Sequence, residues 1–192
     1  ETIMAKQFPR LDQKHCEFIA AQHIFFTASA SETSRVNLSP RPTDCFRIVN
    51  PSTALYLDKT GSGSETAAHL LLNSRLTIMM CSFDAAPQIL RLYGNARSIP
   101  RDAEEFRQLI HTHFYGVTPT GARQIIFLDI NLVQSSCGFG VPFFDYQGER
   151  DTLSKWADKK GEDGVRAYWQ EKNSTSMDGL PTGLAPIQTS SG

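Results

Sequence analysis

A loop rich in glycine and hydroxyl side chains, DKTGSGSET, is the segment best suited to bind an anion. Glycines let backbone N–H groups approach a ligand, hydroxyls donate hydrogen bonds, and the following helix begins with unpaired N–H groups and a positive partial charge. The loop lacks the GK[ST] of a P-loop and the GxGxxG of a dinucleotide site. It predicts either a phosphate contact or an ordinary turn before a capped helix. The candidate residues are Asp58, Lys59, Thr60, Gly61, Ser62, Ser64, Glu65 and Thr66.

Four basic side chains could neutralise a phosphate, which carries about −1.5 to −2 charges at neutral pH. Arg35 opens the segment RVNLSP, Arg41 follows it, and Lys59 and Arg91 lie further along the chain. Each of them can equally be a solvated surface charge. Glu65 would repel an anion if it faced the loop, whereas as a capping residue its carboxylate accepts hydrogen bonds from backbone donors.

The cysteines and histidines show no spacing typical of a metal site. The four cysteines, at positions 16, 45, 81 and 137, contain no CxxC pair, and we expect reduced thiols. His111 and His113 lie in a helical pattern, where residues two apart do not share a face, so they are not expected to form a metal pair. Cys137, in SSCGFG, has either a redox or substrate role or a structural role in a turn. No metal site is therefore predicted.

Composition excludes several classes of protein. Nineteen basic and twenty acidic side chains among 192 residues leave a formal charge of −1, which argues against a nucleic-acid partner. No apolar run approaches the ~18 residues of a membrane span, and no secretory signal opens the chain. We expect one soluble cytoplasmic domain over residues 1–192, with a loose arm at 1–10, a disordered tail at 174–192 and no membrane partner.

Hydrophobic periodicity predicts the elements that position these residues. A helix is expected over 11–22, another from Ser62 or Ser64 to Asn73, a third in PRDAEEFRQLIHTHFYG, and two short ones in ERDTLSKWADKK and GVRAYWQEKN. Strands are expected in HIFFTASA, RVNLS, FRIV, ALYL, LTIMMCSF, QILRLYGNARSI and RQIIFLDINLVQSS. Pro40 and Pro42 should end the second strand. Six or seven short strands with few helices between them favour a mainly β fold, an antiparallel barrel with peripheral helices.

Several of these segments, in this order, resemble one known family. RVNLSP, then ALYLDKTGSGSETAAHLLLNSRLTIMMCSF, then ILRLYGNAR, and later SCGFGVPFF, GERDTLSKWADKKG and DGLPTG are similar to the pyridoxamine 5′-phosphate oxidase-like FMN-binding split-barrel family. The closest resemblance is to its small fungal and bacterial members, and it covers roughly residues 11–183.

The resemblance implies a six-stranded antiparallel split β-barrel that forms a homodimer, with FMN in clefts at the interface. It places the strand Arg35, Val36, Asn37, Leu38 and Ser39 along the isoalloxazine ring, and residues 58–66 at the phosphate. Arg41 stands where the family has the lysine of an SPKG pattern. Trp156, Tyr168 and Trp169 either cover the flavin from the partner subunit or pack the C-terminal helices on the barrel.

Two departures from the family pattern narrow the expected activity. The family's Ser-Arg-Lys at the phosphate-binding helix is here Ser64, Glu65 and Thr66, so two positive charges are missing. The C-terminal arginine and histidine motif of the true oxidase is absent as well. The resemblance therefore implies an FMN-dependent oxidoreductase that acts on a small organic molecule, with NAD(P)H or oxygen as second partner, and that is not a true pyridoxamine-phosphate oxidase.

Two other readings stay open. The barrel could carry flavin, deazaflavin or haem without turnover, in which case His69 and His113 are candidate haem ligands. It could also be a dimeric interaction module with an empty cleft.

Overall fold

The strands and helices of this chain are known from a computed structural model, which describes residues 5–184. The strands are β1 (Lys6–Phe8), β2 (Ile24–Ser29), β3 (Asn37–Pro42), β4 (Phe46–Asn50), β5 (Thr53–Lys59), β6 (Arg75–Cys81), β7 (Gln88–Pro100) and β8 (Ala122–Cys137). The helices are α1 (Gln13–Ala20), α2 (Glu65–Leu72), α3 (Glu104–His113) and α4 (Thr152–Lys172).

All eight strands belong to one antiparallel sheet, in the order β3-β2-β6-β7-β8-β5-β4, with β1 added beside β8. The sheet curls into a half-barrel. The contact between Arg41 on β3 and Asp58 on β5 shows this curvature, since four strands lie between β3 and β5 in the sheet. The predicted mainly β fold with peripheral helices is therefore confirmed. Seven strands lie on the main path, one more than the six of the expected barrel.

The two longest strands, β7 and β8, form the middle of the sheet and supply much of its core. Ile126, Leu128 and Ile130 are buried on one face, as their alternation predicts. A β-bulge opposite Tyr93 and Gly94 then shifts the register, so Val133 is buried and Leu132 is only half-buried. The alternation in RQIIFLDINLVQSS predicts that Leu132 faces the core together with Ile126, Leu128 and Ile130. For Leu132 this prediction is wrong, since one extra residue in a strand reverses the alternation beyond it.

Strand β3 begins later and ends later than the sequence predicts. It runs over Asn37–Pro42, so Pro40 and Pro42 lie inside it instead of ending it at Ser39. A proline cannot donate a ladder hydrogen bond, but β3 is the edge of the sheet and pairs only with β2, which makes prolines acceptable there. Arg35 and Val36, placed in this strand by the sequence, precede it.

The C-terminal helices form one element with a sharp kink. α4 contains Gly161 at φ 69° and ψ 171°, a backbone conformation that is almost exclusive to glycine, so the two predicted short helices meet at this residue. Trp169 is buried on the second half, in a small apolar cluster with Ala157 and Val165. Among residues 5–184, none of the helices has the length and apolarity needed to cross a membrane.

Both ends of the described chain are better ordered than predicted. Lys6–Phe8 of the expected loose arm pairs with β8, and residues 1–4 lie outside the described part. Residues 174–184, here called the C-terminal turn, hold a bridge between Thr175 and Pro181 and bury Ser176 and Thr182. The predicted disorder therefore does not begin at Ser174, because Thr182 donates to the Asn173 carbonyl and Ser176 Oγ accepts from the Asp178 and Leu180 N–H groups. Residues 185–192 are outside the described part.

Candidate functional site

The loop before α2 is held by the C-terminal part of the chain. Thr60 donates its hydroxyl to the Gly121 carbonyl and accepts a bond from Trp169 Nε1, each at 2.7 Å. Asn173, fully buried at the end of α4, donates from Nδ2 to the Gly61 carbonyl (3.2 Å). The loop is therefore a fixed structural junction, and its glycine- and hydroxyl-rich composition serves these internal bonds.

The start of α2 is likewise bonded to residues far along the chain. Ser64 is the N-cap residue, but its hydroxyl donates to the Asn173 carbonyl (3.1 Å) and makes no capping bond. The Glu65 carboxylate accepts from the Met177 N–H at 3.1 and 3.3 Å. The S-x-x-E spacing of Ser62 and Glu65, which predicts a capping box, is therefore not used as one, and the alternative start at Ser64 is the observed one. The C-terminal turn lies against the helix end where a phosphate was expected.

Asp58 and Arg41 form part of a buried ion network. Asp58 accepts bonds from Arg41 Nη1 (2.5 Å), Arg123 Nε (2.7 Å) and Gln124 Nε2 (2.7 Å). Burial alone would raise the pKa of this carboxyl, but the two guanidinium groups and the three hydrogen bonds outweigh it and lower the pKa to about 2. Arg41 also covers the ring of Tyr56, 4.9 Å from its centroid. Both charges hold the barrel together.

The other predicted cations are also engaged. Arg35 bonds to Asp178 through its guanidinium and, at 2.8 Å, through its backbone N–H. Lys59 forms an ion pair with Asp44 (3.1 Å), and Arg91 donates to Ser136 Oγ (3.3 Å) across the β7–β8 pair. The structure does not bring these four basic groups together around the start of α2.

A phosphate dianion does not fit this corner of the structure as it is folded. Glu65 and Asp178 place two carboxylates beside the first turn of α2, and Arg35 is the cation paired with one of them. A phosphate would face both carboxylates, and like charges at this range repel. Phosphate binding would require Arg35 to leave Asp178 and the C-terminal turn to move away from α2.

The predicted ring-binding strand has two different faces. Asn37 Nδ2 donates to Thr66 Oγ1 (3.1 Å), and Ser39 Oγ donates to Asn37 Oδ1 (3.1 Å), so this face connects β3 to α2. Val36 and Leu38 alternate with Asn37 and Ser39 along the chain and are 75% and 64% exposed. Exposed apolar side chains next to a sheet edge are typical of a surface that a partner covers.

An open groove of about 430 Å³ begins beside these residues and crosses β2, β6, β7 and β8. Its walls include Ser29, Val36, Thr77, Tyr93, Asn95 and Asn131. Its volume lies in the ~300–1,000 Å³ range of ligand pockets, and its surface is mostly apolar with a few amide and hydroxyl groups. It can hold a planar organic ring and offers hydrogen-bonding groups to the ring edge.

A second cavity, of about 410 Å³, lies beside Ser62 and is lined by Arg150, Leu153, Trp156 and Tyr168. Trp156 and Tyr168 meet edge to face, with ring centroids 5.1 Å apart. Trp169 is buried and bonded to Thr60, so within one chain it packs α4 on the barrel. Trp156 and Tyr168 extend the same packing and also present their rings to the cavity.

A third cavity, of about 720 Å³, separates the far ends of β2 and β3 from the segment that follows β8. His23 stacks on Tyr146, with ring centroids 3.6 Å apart, and Phe83 meets Phe144 edge to face. Cys137 is exposed at the end of β8, so a role for its thiol stays a prediction.

Residues that matter at these places were missed by sequence reasoning. Arg123, Asn173 and Asp178 hold the corner, while Tyr93 and Asn131 line the groove. Two of these residues lie in segments that carry the family resemblance: Asp178 begins DGLPTG, and Tyr93 lies in ILRLYGNAR. The other residues are single polar groups on strands or helix ends, where pairing depends on partners distant in sequence.

Comparisons with known proteins agree with this architecture. A family model described as pyridoxamine 5′-phosphate oxidase matches residues 11–137. The pyridoxamine 5′-phosphate oxidase family protein ustO of Aspergillus flavus is 40% identical, over 83% of this chain and 70% of that protein.

Two solved structures share the fold. A candidate pyridoxamine 5′-phosphate oxidase of Lactobacillus delbrueckii has a TM-score of 0.52 and 15% identity, over 66% of this chain and 94% of that one. HupZ of Group A Streptococcus has a TM-score of 0.51 and 14% identity, over 65% and 98% of the two chains.

Proposed function

This chain belongs to the pyridoxamine 5′-phosphate oxidase family, and we propose that it is a flavin-binding oxidoreductase. In this proposal it works as a homodimer on a small organic molecule, with NAD(P)H or oxygen as the second partner. It is not a true pyridoxamine-phosphate oxidase, because the family's basic pair at α2 is replaced by Glu65 and Thr66.

The groove across β2, β6, β7 and β8 is the observation that carries the proposal. A bound flavin supplies the hydride and electron transfer, so the protein has only to bind it, orient it and exclude water. In the groove, Thr77, Asn95 and Asn131 offer hydrogen bonds, and Tyr93 and Val36 offer contact area. These roles need no acid–base pair from the chain.

A second copy of the chain is the proposed cover of this groove. The groove is open on one side, with the exposed Val36 in its wall and the exposed Leu38 two residues further along the chain, on the edge strand β3. Covering two apolar side chains of this size is worth roughly 3–6 kcal/mol in total. The second copy would also exclude water from the groove, and a hydride-transfer site needs that exclusion.

The two carboxylates beside the start of α2, Glu65 and Asp178, limit which flavin the chain can bind. FMN is the cofactor expected from the resemblance, yet Arg35 and Arg41 are paired with Asp178 and Asp58. The proposal is therefore a flavin held through its ring and side chain. FMN itself requires the C-terminal turn to release Arg35, whereas riboflavin or a deazaflavin without a phosphate near α2 does not.

The test is to purify the full chain, record its absorbance, and identify by mass spectrometry the molecule that leaves on denaturation. We expect flavin bands near ~375 and ~450 nm and a flavin mass. Thr77→Trp fills the groove and should lower flavin affinity at least tenfold, while Thr112→Trp on exposed α3 should not. A colourless protein that takes up neither FMN, FAD, riboflavin nor a deazaflavin contradicts the proposal.

A carrier without turnover is the second candidate function. Arg75 and Tyr93 are the two titratable residues among those that line the groove in residues 5–184, so few groups there could move protons. A substrate that has to gain or lose a proton would find few partners here, which supports the carrier, whereas hydride transfer by the flavin itself needs no such group. Reduction of the bound flavin by NAD(P)H, or reoxidation of the reduced flavin by oxygen with turnover of a substrate, would favour the enzyme. A bound flavin whose redox state is changed by neither NAD(P)H, oxygen nor substrate would favour the carrier.

A further inference from the structure

Three side chains able to bind a metal meet beside the first two turns of α2. Glu65 and His69 are four residues apart and share one face of the helix. The C-terminal turn brings Asp178 to the same face. One oxygen from each carboxylate and one ring nitrogen of His69 all lie within 4.8 Å of one another. Within residues 5–184, this is the place where such a set of ligands gathers.

His69 supplies an independent observation. Its side chain is completely buried, its Nδ1 lies 3.0 Å from Ser29 Oγ, and its Nε2 has no hydrogen-bond partner within residues 5–184. A buried polar atom without a partner destabilises the fold, because it has lost its hydrogen bonds to water. A completely buried ring nitrogen without a protein partner is free to bind a ligand that accepts its lone pair, and His69 is the imidazole of the cluster with Glu65 and Asp178.

One tautomer of His69 leaves Nε2 available to a metal. In it, Nδ1 carries the proton and donates to Ser29 Oγ (3.0 Å), so the lone pair is on Nε2. Histidines that bind metals have this pattern, in which one ring nitrogen bonds to the protein and the other to the metal. Nε2 and the carboxylates of Glu65 and Asp178 are then all electron-pair donors.

We propose that Glu65, His69 and Asp178 bind one divalent transition-metal ion, of the Zn²⁺, Mn²⁺ or Fe²⁺ class. One imidazole and two carboxylates suit these ions better than Ca²⁺ or Mg²⁺, which prefer oxygen ligands alone. Metal–ligand bonds of ~2.0–2.2 Å bring ligand atoms to about 3–3.5 Å from one another, so a pair near the 4.8 Å limit must approach by roughly 1–2 Å. Glu65 and Asp178 are half-buried and can rotate to do so.

The surrounding charges agree with a cation at this point. Two carboxylates face the site, and Arg35 neutralises one of them through its ion pair with Asp178. The Met177 N–H donates to both oxygens of Glu65 (3.1 and 3.3 Å), which keeps that carboxylate at the cluster while one of its oxygens turns toward a metal. Arg35 therefore competes with a metal for Asp178, and removing its charge should strengthen metal binding.

The test measures metal binding to the full chain after chelator treatment, by calorimetry with ZnCl₂ and MnCl₂. We expect one Zn²⁺ per chain. Glu65→Gln and Asp178→Asn should each weaken binding by at least about tenfold, a loss that even outer partners of a metal site produce. Arg35→Gln should strengthen it several-fold. The exposed Asp163→Asn should leave it unchanged.

His69→Gln removes the nitrogen ligand, but it changes a buried residue. Co²⁺ absorption therefore serves as a second readout in the wild-type chain, because nitrogen ligation shifts the visible bands. The surface pair His111 and His113 is the alternative source of a Zn²⁺ signal. Binding that persists in both Glu65→Gln and Asp178→Asn but disappears in His111→Gln/His113→Gln would overturn the proposal, as would no saturable binding below ~1 mM.

Discussion

Asp58 is the single charge on which most of the buried ion network depends. Its carboxylate bonds to Arg41 on β3 and Arg123 on β8, so it joins strands from opposite ends of the curled sheet. Arg123 continues the network to Asn173, which holds the loop before α2 and the C-terminal turn. The network therefore links the closure of the barrel to the position of the candidate site.

Asp58→Asn should destabilise the protein by about 3–5 kcal/mol, because it leaves two buried guanidinium groups without a counter-charge. Urea unfolding at pH 6 measures the loss. Asp44→Asn is the matched control: it removes the carboxylate that pairs with the partly exposed Lys59 and should cost no more than ~1 kcal/mol. Equal losses in the two variants would contradict the buried-network interpretation.

The same residue predicts a pH dependence. The pKa of Asp58 is lowered in the folded state to about 2, below its ordinary value of 3.8. A depressed pKa stabilises the fold fully above pH ~4, and this contribution of about 2 kcal/mol is lost as pH falls toward ~2. The difference in stability between the wild type and Asp58→Asn should therefore narrow between pH 6 and pH 2.5.

Individual residues were predicted with their positions but not with their partners. Arg41, Asp58 and Glu65 were all named from the sequence, yet Arg41 and Asp58 neutralise each other and Glu65 bonds to Met177. Periodicity and composition describe neighbours within a few residues along the chain. The pairing of a charge depends on which strands the curl of the sheet brings together, and the local sequence does not contain that information.

At the scale of elements, the sequence predicted nearly every strand and helix, because apolar alternation and helical spacing are local properties. The errors lie where a local rule is overruled by a neighbour. Pro40 and Pro42 remain in β3 because this is an edge strand. Ser64 makes no capping bond because its hydroxyl donates a hydrogen bond to the Asn173 carbonyl. The inward face of β8 changes at the bulge opposite Gly94.

Gly94→Ala should be strongly destabilising. A Cβ at this position would lie 2.0 Å from the Asp129 carbonyl oxygen and 2.8 Å from its carbon, both backbone atoms of the neighbouring strand. The bulge between β7 and β8 would have to open, and overpacking of this kind costs about 1–3 kcal/mol or more. Thermal unfolding of the two proteins measures the loss.

Gly140→Ala is the control for this substitution, because a Cβ there meets nothing within 4 Å. It should change the midpoint of thermal unfolding by only a degree or so. A Gly94→Ala protein as stable as Gly140→Ala would mean that β7 and β8 do not approach each other as closely as the bulge requires.

At the scale of the whole molecule, the family resemblance predicted the curled antiparallel barrel. The C-terminal turn was not predicted, since the sequence indicated a disordered tail from residue 174. Residues 174–184 contain few apolar side chains and no periodic pattern, which is typical of a disordered tail. They are held by side chains and carbonyls of the body, including the Asn173 carbonyl and the Glu65 carboxylate. Such a segment is ordered by its partners.

Val36→Lys/Leu38→Lys should convert the proposed homodimer into a monomer. Val36, in the wall of the groove, is 75% exposed and Leu38, on the adjoining edge strand, is 64% exposed, and burying each in an interface is worth about 1.5–3 kcal/mol. Lysines on an edge strand also oppose pairing with another copy. Sedimentation velocity should therefore show a dimer for the wild type and a monomer for the variant. If the second copy covers the groove, flavin affinity should fall when the dimer is lost.

Leu72→Lys is the control, because Leu72 lies at a similarly exposed position of α2 (61%), and it should alter neither the oligomeric state nor the flavin affinity. A wild-type chain that sediments as a monomer, yet binds flavin as tightly as the variant, would contradict the shared groove.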